Sequence, residues 1–402
     1  MDSSQHQSPY LDRQSLFRVT AVLYLIIIVL AVGAYFFNVD GLMDPNGDDR
    51  VGRDFVNFWS GGAAVWSGNA GTLYDHAAYD AFIARYFGEF STIYAFSYPP
   101  HVLFLLAPFG LLGYIPALIV WSLGGVAAYF AAARSLFKRN ADRAILAFAP
   151  ATLICLMSGQ TGLYAAALFI GGYQLKDKYP LLAGVIFGLL TVKPQLGVLL
   201  AIVLLITGNW RAIMTAVATT LALISASANA FGAGLWVDFI GKTMPYQKQI
   251  LSEDFGGFDH MVPSAYKFII NIGGSDSAAW VAQGAVMVFC IIALLWGYLQ
   301  GRNARLKLAL LCVLTGLFSP YIAVYDMPLY TVGVMLLAGH VMNQKQSGAA
   351  WLSHPFLWIV LLLAPYFNIA LSPMHIPFGL ICMIFVSGLI LRALKGEAVA
   401  LG

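Results

Sequence analysis

The sequence predicts an all-α polytopic membrane protein with about twelve transmembrane helices. Three observations predict it. Of 402 residues, 60% are hydrophobic and 10% charged, more apolar surface than a soluble chain of this length can hide. The apolar residues fall into twelve runs: 16–37, 115–137, 144–158, 162–176, 181–192, 196–208, 212–231, 277–300, 306–320, 327–342, 351–367 and 376–394. The charges between those runs sort by sign. With the N-terminus inside and the chain alternating, the inner segments hold fifteen of the 22 basic residues and five of the 19 acids. Every short inner loop is then basic, as the positive-inside rule requires. Both termini are accordingly expected in the cytoplasm.

The first run follows a polar stretch, Met1 to Ser15. It is too long for a signal-peptide core and lacks a clear cleavage site, so it reads as an uncleaved first span. The whole of 1–402 then reads as a single transmembrane domain, with a long first outer loop at 38–114 and a second at 232–276. In the first loop, "DFVNFWSGGAAVW" and "AAYDAFIARYFG" carry apolar residues at helical spacing. Both read as amphipathic helices lying on the membrane face. "YPPHVLFLLAPFGLLGY" opens with prolines suited to a first helical turn. Counting it as a span would put "KRNADR" outside, so it reads as a juxtamembrane or re-entrant helix.

Runs 144–158, 162–176, 181–192 and 196–208 are short for a hydrocarbon core of ~30 Å. Hairpins that stop below the outer surface would leave a wet depression there, the one setting in which non-helical backbone is tolerated at membrane depth. The alternative for 181–208 is a single kinked helix, which would strand "KDK" or "NWR" on the wrong side. The later runs are bounded by "GRNARLK", "FSPYIAVYDM" and the stretch around Lys345. The four cysteines lie inside apolar runs and form no disulfide or zinc pattern. His340, His354 and His375 read as interface residues.

The unusual polar residues all fall at outer tips: Asp54, Tyr98 and His101 in the first loop, Gln160 in "SGQTG", Lys193 and Gln195 in "VKPQ", and Tyr325 and Asp326 in "AVYD". A lysine beside a proline in an apolar run is costly. Acid, base, amide and phenol groups facing one compartment suggest a polar, anionic substrate. Each residue also has a plainer reading. Asp54 directly precedes a helix and suits an N-cap; Lys193 suits a snorkelling cation; Gln160 suits its own hairpin backbone; Tyr98 and His101 suit an interfacial belt. Asp75, in "LYDH", reads as a solvated turn residue. His260 and Ser264, in the second outer loop, are placed to cover the site.

"GRDFVNFW", "SYPP", "SGQTG", "VKPQ" and "SPYIAVYD", in this order, resemble family 87 of the GT-C membrane glycosyltransferases, over roughly residues 50–345. The family includes mycobacterial mannosyltransferases and an arabinofuranosyltransferase. The resemblance implies a bacterial cell-membrane enzyme with its site facing the periplasm or exterior. It implies a polyprenyl-phosphate sugar donor, a lipid or glycan acceptor, inversion, an aspartate base in the first outer loop, and no required metal or cofactor. Carried over, Asp54 is the base; Lys193, Gln195 and Gln160 bind the donor phosphate; Tyr98, His101, Tyr325, Asp326 and His260 contact substrate. Nothing points to nucleic acid. The chain departs at "VYDM", where the mycobacterial mannosyltransferases tend to carry a His-His pair, which leaves the sugar, mannose or arabinofuranose, open. The competing class is a transporter or flippase for a lipid-linked sugar. Transporters show repeats and polar groups on both halves of the pathway; here there is no repeat and the motifs share one face.

The topology is directly testable. A cysteine introduced at Gly256 is expected to label with an impermeant thiol reagent from outside, and one at Asn303 is not. Reversed labelling would overturn the sidedness and the site assignment together.

Overall fold

The computed structural model describes residues 51–88, 94–253, 256–300, 302–343, 352 and 354–399. The expected first span, 16–37, lies outside the described residues. Among the described residues the chain is helical and contains no strand. The helices that matter here are α1 (Phe55–Trp66), α2 (His76–Phe87), α3 (Tyr114–Ala133), α4 (Asn140–Phe148), α5 (Pro150–Met157), α6 (Gly162–Leu175), α7 (Pro180–Leu189), α8 (Pro194–Ile206), α9 (Trp210–Phe231), α10 (Asp276–Gln300), α11 (Ala304–Phe318), α12 (Pro328–Asn343), α13 (Pro355–Leu362), α14 (Ala364–Leu371) and α15 (Phe378–Val399).

Four of the described helices, α3, α9, α10 and α15, are long and apolar enough to cross a membrane, and six spans result if the bent pairs α4–α5 and α13–α14 count as one each. Those pairs bend by 44° and 59°. Proline opens the second helix in each, at Pro150 and Pro365, where the missing N–H costs no helical hydrogen bond. The expected twelve full crossings are more than length and composition alone show. The runs α6, α7 and α8 are helices of 14, 10 and 13 residues, some 15–21 Å long at ~1.5 Å per residue.

These short helices form a hairpin, not one kinked rod. Asn209 Nδ2 donates to the Lys176 carbonyl at 2.8 Å, so the turns before α7 and after α8 meet at one end of the molecule. The chain must therefore travel away along α7 and return along α8. The same end gathers Gln174, which donates to the Ala132 carbonyl at 2.8 Å, and Arg305, which donates to the Leu136 carbonyl. Helix α9 then runs parallel to α7: Gly184 backs onto Ala212 and Thr215, and Gly188 onto Ala216 and Thr219.

The segment 51–111 differs from its expectation in one respect. Helix α1 does not lie on a surface with one face exposed. Phe55, Val56, Phe58, Trp59, Ser60 and the run Gly61 to Ala64 are all buried. The small residues explain this. Gly62 lets the segment 100–111 approach so closely that a Cβ there would strike the Gly110 backbone. That apolar segment is a broken helix of 3₁₀ and α turns packed on α1. Asp75 caps α2, accepting from Ala78 N at 3.0 Å.

Candidate active site

The end opposite Lys176 and Asn209 is where the polar tips converge. Each tip arrives for a local reason. The chain enters α1 through two consecutive left-handed residues, Gly52 (φ 84°) and Arg53 (φ 37°). Positive φ in a bulky residue is strained and concentrates at functional sites. Asp54 follows. Its side chain makes no capping hydrogen bond, so the N-cap reading fails. Instead Asp54 Oδ2 accepts from Gln160 Nε2 at 2.7 Å across 106 residues of sequence.

Gln160 is the centre of a chain of hydrogen bonds. Its amide nitrogen faces the acceptor-only carboxylate, so its Oε1 faces the other way and accepts from the Tyr98 hydroxyl at 2.8 Å. Burial raises the Tyr98 phenol above its ordinary range, with the Lys193 ammonium opposing, so Tyr98 is a donor. Thr161 Oγ1 lies 3.3 Å from the same hydroxyl. Tyr98 also meets Lys193, whose Nζ sits 5.9 Å from its ring centre and 5.3 Å from that of Tyr325. Phe58 stacks on Trp121 at 5.1 Å and tilts against Tyr98 at 4.9 Å, forming an aromatic floor.

Lys193 is not a snorkelling residue. Its side chain is 5% exposed, and its Nζ stands 2.5 Å from Oδ1 of Asp326, itself 4% exposed. Proline at 194 makes this possible: Lys193 has left helical geometry (φ −132°, ψ 75°) and faces the opening between the 3₁₀ turn Leu190–Val192 and α8.

Two glycines in "SGQTG" let the tips meet. Gly159 (φ 59°) lies against the first loop, where a Cβ would come 2.5 Å from Phe55 Cβ and 2.7 Å from the Gly52 carbonyl oxygen. A Cβ on Gly162 would overlap the Tyr325 carbonyl oxygen. One hairpin tip thus joins the Asp54 turn on one side and the Asp326 turn on the other.

A second buried lysine gives the comparison that matters. Lys267, fully buried, pairs with Asp259 at 2.7 Å and donates to the Leu251 and Glu253 carbonyls at 3.2 and 2.7 Å. Three acceptors use the three donors an ammonium has. Lys193 has one side-chain acceptor, Asp326, among the described residues, and two N–H groups remain to be used.

Not every expected residue joins this cluster. Gln195, in the first turn of α8, makes no side-chain hydrogen bond among the described residues. His260 contacts Ser372 Oγ at 3.1 Å and belongs to a separate polar cluster with Asn368, which donates to the His260 carbonyl at 2.9 Å. Ser264 caps a short helix by accepting from Lys267 N. His101 is at the cluster's edge, 5% exposed, with Nε2 3.3 Å from Thr191 Oγ1. Thr161 and Thr191, which lie in or beside the quoted motifs, also join the cluster. Trp236, stacked on His101, carries no sequence signal.

Residues 96–320 match the family model of glycosyltransferase family 87. The chain belongs to this family. No curated protein and no solved structure matches the chain. The family segment contains Tyr98, His101, Gln160, Lys193, Gln195 and His260, whereas Asp54, Tyr325 and Asp326 lie outside it. Family 87 membership makes the protein a glycosyltransferase, and the geometry alone ties Asp54 and Asp326 to the family segment.

Two outcomes follow for this family 87 chain. Gly162→Ala is expected to destabilise by about 1–3 kcal/mol or more, as overpacked cores do, measured by thermal melting in detergent. Lys193→Met and Asp326→Leu should each cost about 3–5 kcal/mol, because each leaves a buried charge unpaired. The double variant should recover most of that loss; three equal melting temperatures would show that the pair is not buried in solution.

Proposed function

We propose that this family 87 glycosyltransferase moves a sugar, mannose or arabinofuranose, from a polyprenyl-phosphate donor to a lipid-linked or envelope glycan acceptor with inversion. The observation that carries this reading is the unbroken contact chain from Asp54 through Gln160 and Tyr98 to Lys193. It joins a half-buried carboxylate that makes no side-chain capping bond to a buried lysine with a single side-chain acceptor among the described residues.

In this reading Asp54 takes the proton of the acceptor hydroxyl as that oxygen bonds to the anomeric carbon. The bond from the anomeric carbon to the donor phosphate oxygen breaks, and its electron pair leaves on the phosphate. A hydroxyl is a poor nucleophile until a positioned base removes its proton. Lys193 uses its remaining N–H groups to hold the phosphate and the charge that grows on it, which a water-poor site makes more effective. Asp326 fixes the ammonium's position. Gln160 and Tyr98 orient Asp54 and separate its negative charge from the phosphate.

The membrane placement belongs to the same proposal. The chain crosses about twelve times with both termini cytoplasmic, in a bacterial cell membrane. The short helices α6 to α8 leave the site sunk beneath the outer surface, so a lipid-borne donor reaches it from the side. Some 15–21 Å of helix against ~30 Å of hydrocarbon supports this.

Asp54→Asn tests the reaction. It keeps the side chain's size and a partner for Gln160, and removes the base. The expected result is an unchanged melting temperature with transfer from polyprenyl-phosphate mannose or arabinofuranose slowed by about two to four orders of magnitude. Transfer by purified protein in detergent, with no gradient, would also exclude a transporter. Turnover by Asp54→Asn near that of the natural chain would remove Asp54 from the chemistry.

A further inference from the structure

Two buried side-chain polar atoms of the described residues, Ser60 Oγ and His101 Nδ1, stand without a hydrogen-bond partner. Ser60 lies within buried α1, beside Tyr79. His101 Nδ1 has no such explanation, and buried polar atoms are seldom left unmatched.

The ring is held on both sides. It stacks on Trp236 with centres 5.8 Å apart and an interplanar angle of 13°. Trp236 is itself fixed, its Nε1 donating to Ser227 Oγ at 3.1 Å. The opposite nitrogen, Nε2, faces Thr191 Oγ1 at 3.3 Å. His101 is thus fastened between Trp236 and the turn before α8: it lies three residues after Tyr98, and its partner Thr191 lies two residues before Lys193.

The tautomer follows from hydrogen-bond accounting. The Thr191 hydroxyl has one proton, and it points to the Gly188 carbonyl oxygen at 2.5 Å. Its oxygen can therefore only accept from His101, which places the ring proton on Nε2. Burial pushes the imidazole down to about 4, so the ring carries that single proton and Nδ1 carries a lone pair. A lone pair in a buried position repels a phosphate oxygen, which has nothing to donate. It accepts from an O–H group.

We propose that His101 Nδ1 is the acceptor for a hydroxyl of the donor sugar, so that the sugar and its phosphate are recognised by different residues of adjacent segments, His101 and Lys193. This rests on the donor reading given above. Through Thr191, His101 is tied to the turn that carries Lys193, so in the donor reading the hydroxyl offered to its ring is one on the sugar that the phosphate carries. A site built to accept from a substrate hydroxyl discriminates against ligands lacking it, because its buried acceptor is otherwise left unmatched. His101 is on this view a specificity residue.

Binding of three probes in detergent tests it: polyprenyl-phosphate mannose, polyprenyl-phosphate arabinofuranose and sugar-free polyprenyl phosphate. His101→Phe keeps the stack on Trp236 and removes both ring nitrogens. His101→Gln keeps a donor for Thr191 and moves the acceptor away, and His101→Asn retains an acceptor near the Nδ1 position. The expected result is that Phe and Gln weaken the preferred sugar-linked probe by about tenfold, the worth of one hydrogen bond, and leave sugar-free polyprenyl phosphate unchanged. Asn should restore part of the loss, and the Phe variant should melt no lower than the natural chain. Equal weakening of the sugar-linked and sugar-free probes, or no weakening of either, would overturn the inference while leaving the donor reading intact. If the natural chain binds sugar-linked probes no better than sugar-free polyprenyl phosphate, or binds none of the three, the inference falls together with that reading.

Discussion

A lysine and an aspartate that both lie about 95% out of solvent can remain charged only if they stay together. Lys193 and Asp326 are 133 residues apart in sequence. Their pairing fixes the "VKPQ" tip against the "AVYD" tip, and much else follows. The hairpin α7–α8 must reach as far as the start of α12. The tip of "SGQTG" must fit between, which is why its two glycines back onto Gly52 and Tyr325. Gln160 is then brought to Asp54, and Tyr98 is enclosed between the carboxamide and the ammonium. A buried pair of this kind contributes little net stability compared with apolar packing, but it specifies one arrangement of the tips.

The comparison between the two buried lysines gives that pair its functional meaning. Lys267 is surrounded by three acceptors, and its position between Leu251, Glu253 and Asp259 ties the end of one helix to the turn that follows it. Lys193 is also buried and has, among the described residues, a single side-chain acceptor, with aromatic rings on two sides. Tyrosine faces attract a cation without consuming its N–H groups. The first arrangement suits a staple. The second suits a cation kept in place while still able to donate.

Much of the scaffold was legible from pattern alone. Each apolar run within the described residues is helical, and the two amphipathic stretches of the first loop are α1 and α2, within a residue or two of the quoted segments. Hydrophobic periodicity and proline placement act locally, so a one-dimensional reading captures them. The depth of α1 was not legible. Its spacing is that of a surface helix, but Gly62 admits the Gly110 backbone and Gly61 lies against the Phe96 ring, so the helix is covered on more than one side.

For the site, the sequence by itself determined which residues were out of place: a lysine beside a proline in an apolar run, and acids, amides and phenols at tips that share one side. That much follows from the cost of polar groups in lipid, which is a property of each residue. Only the tertiary structure decided which of them meet. It joined Asp54 to Gln160 and not to its own helix, gave Lys193 to Asp326, left Gln195 outside the hydrogen-bond chain, and set His260 in another cluster beside Ser372. Hydrogen-bond partners 60 to 130 residues apart depend on how short helices pack, and no local preference encodes that packing. The same reason hid Trp236, an ordinary aromatic in sequence that the fold lays flat against His101.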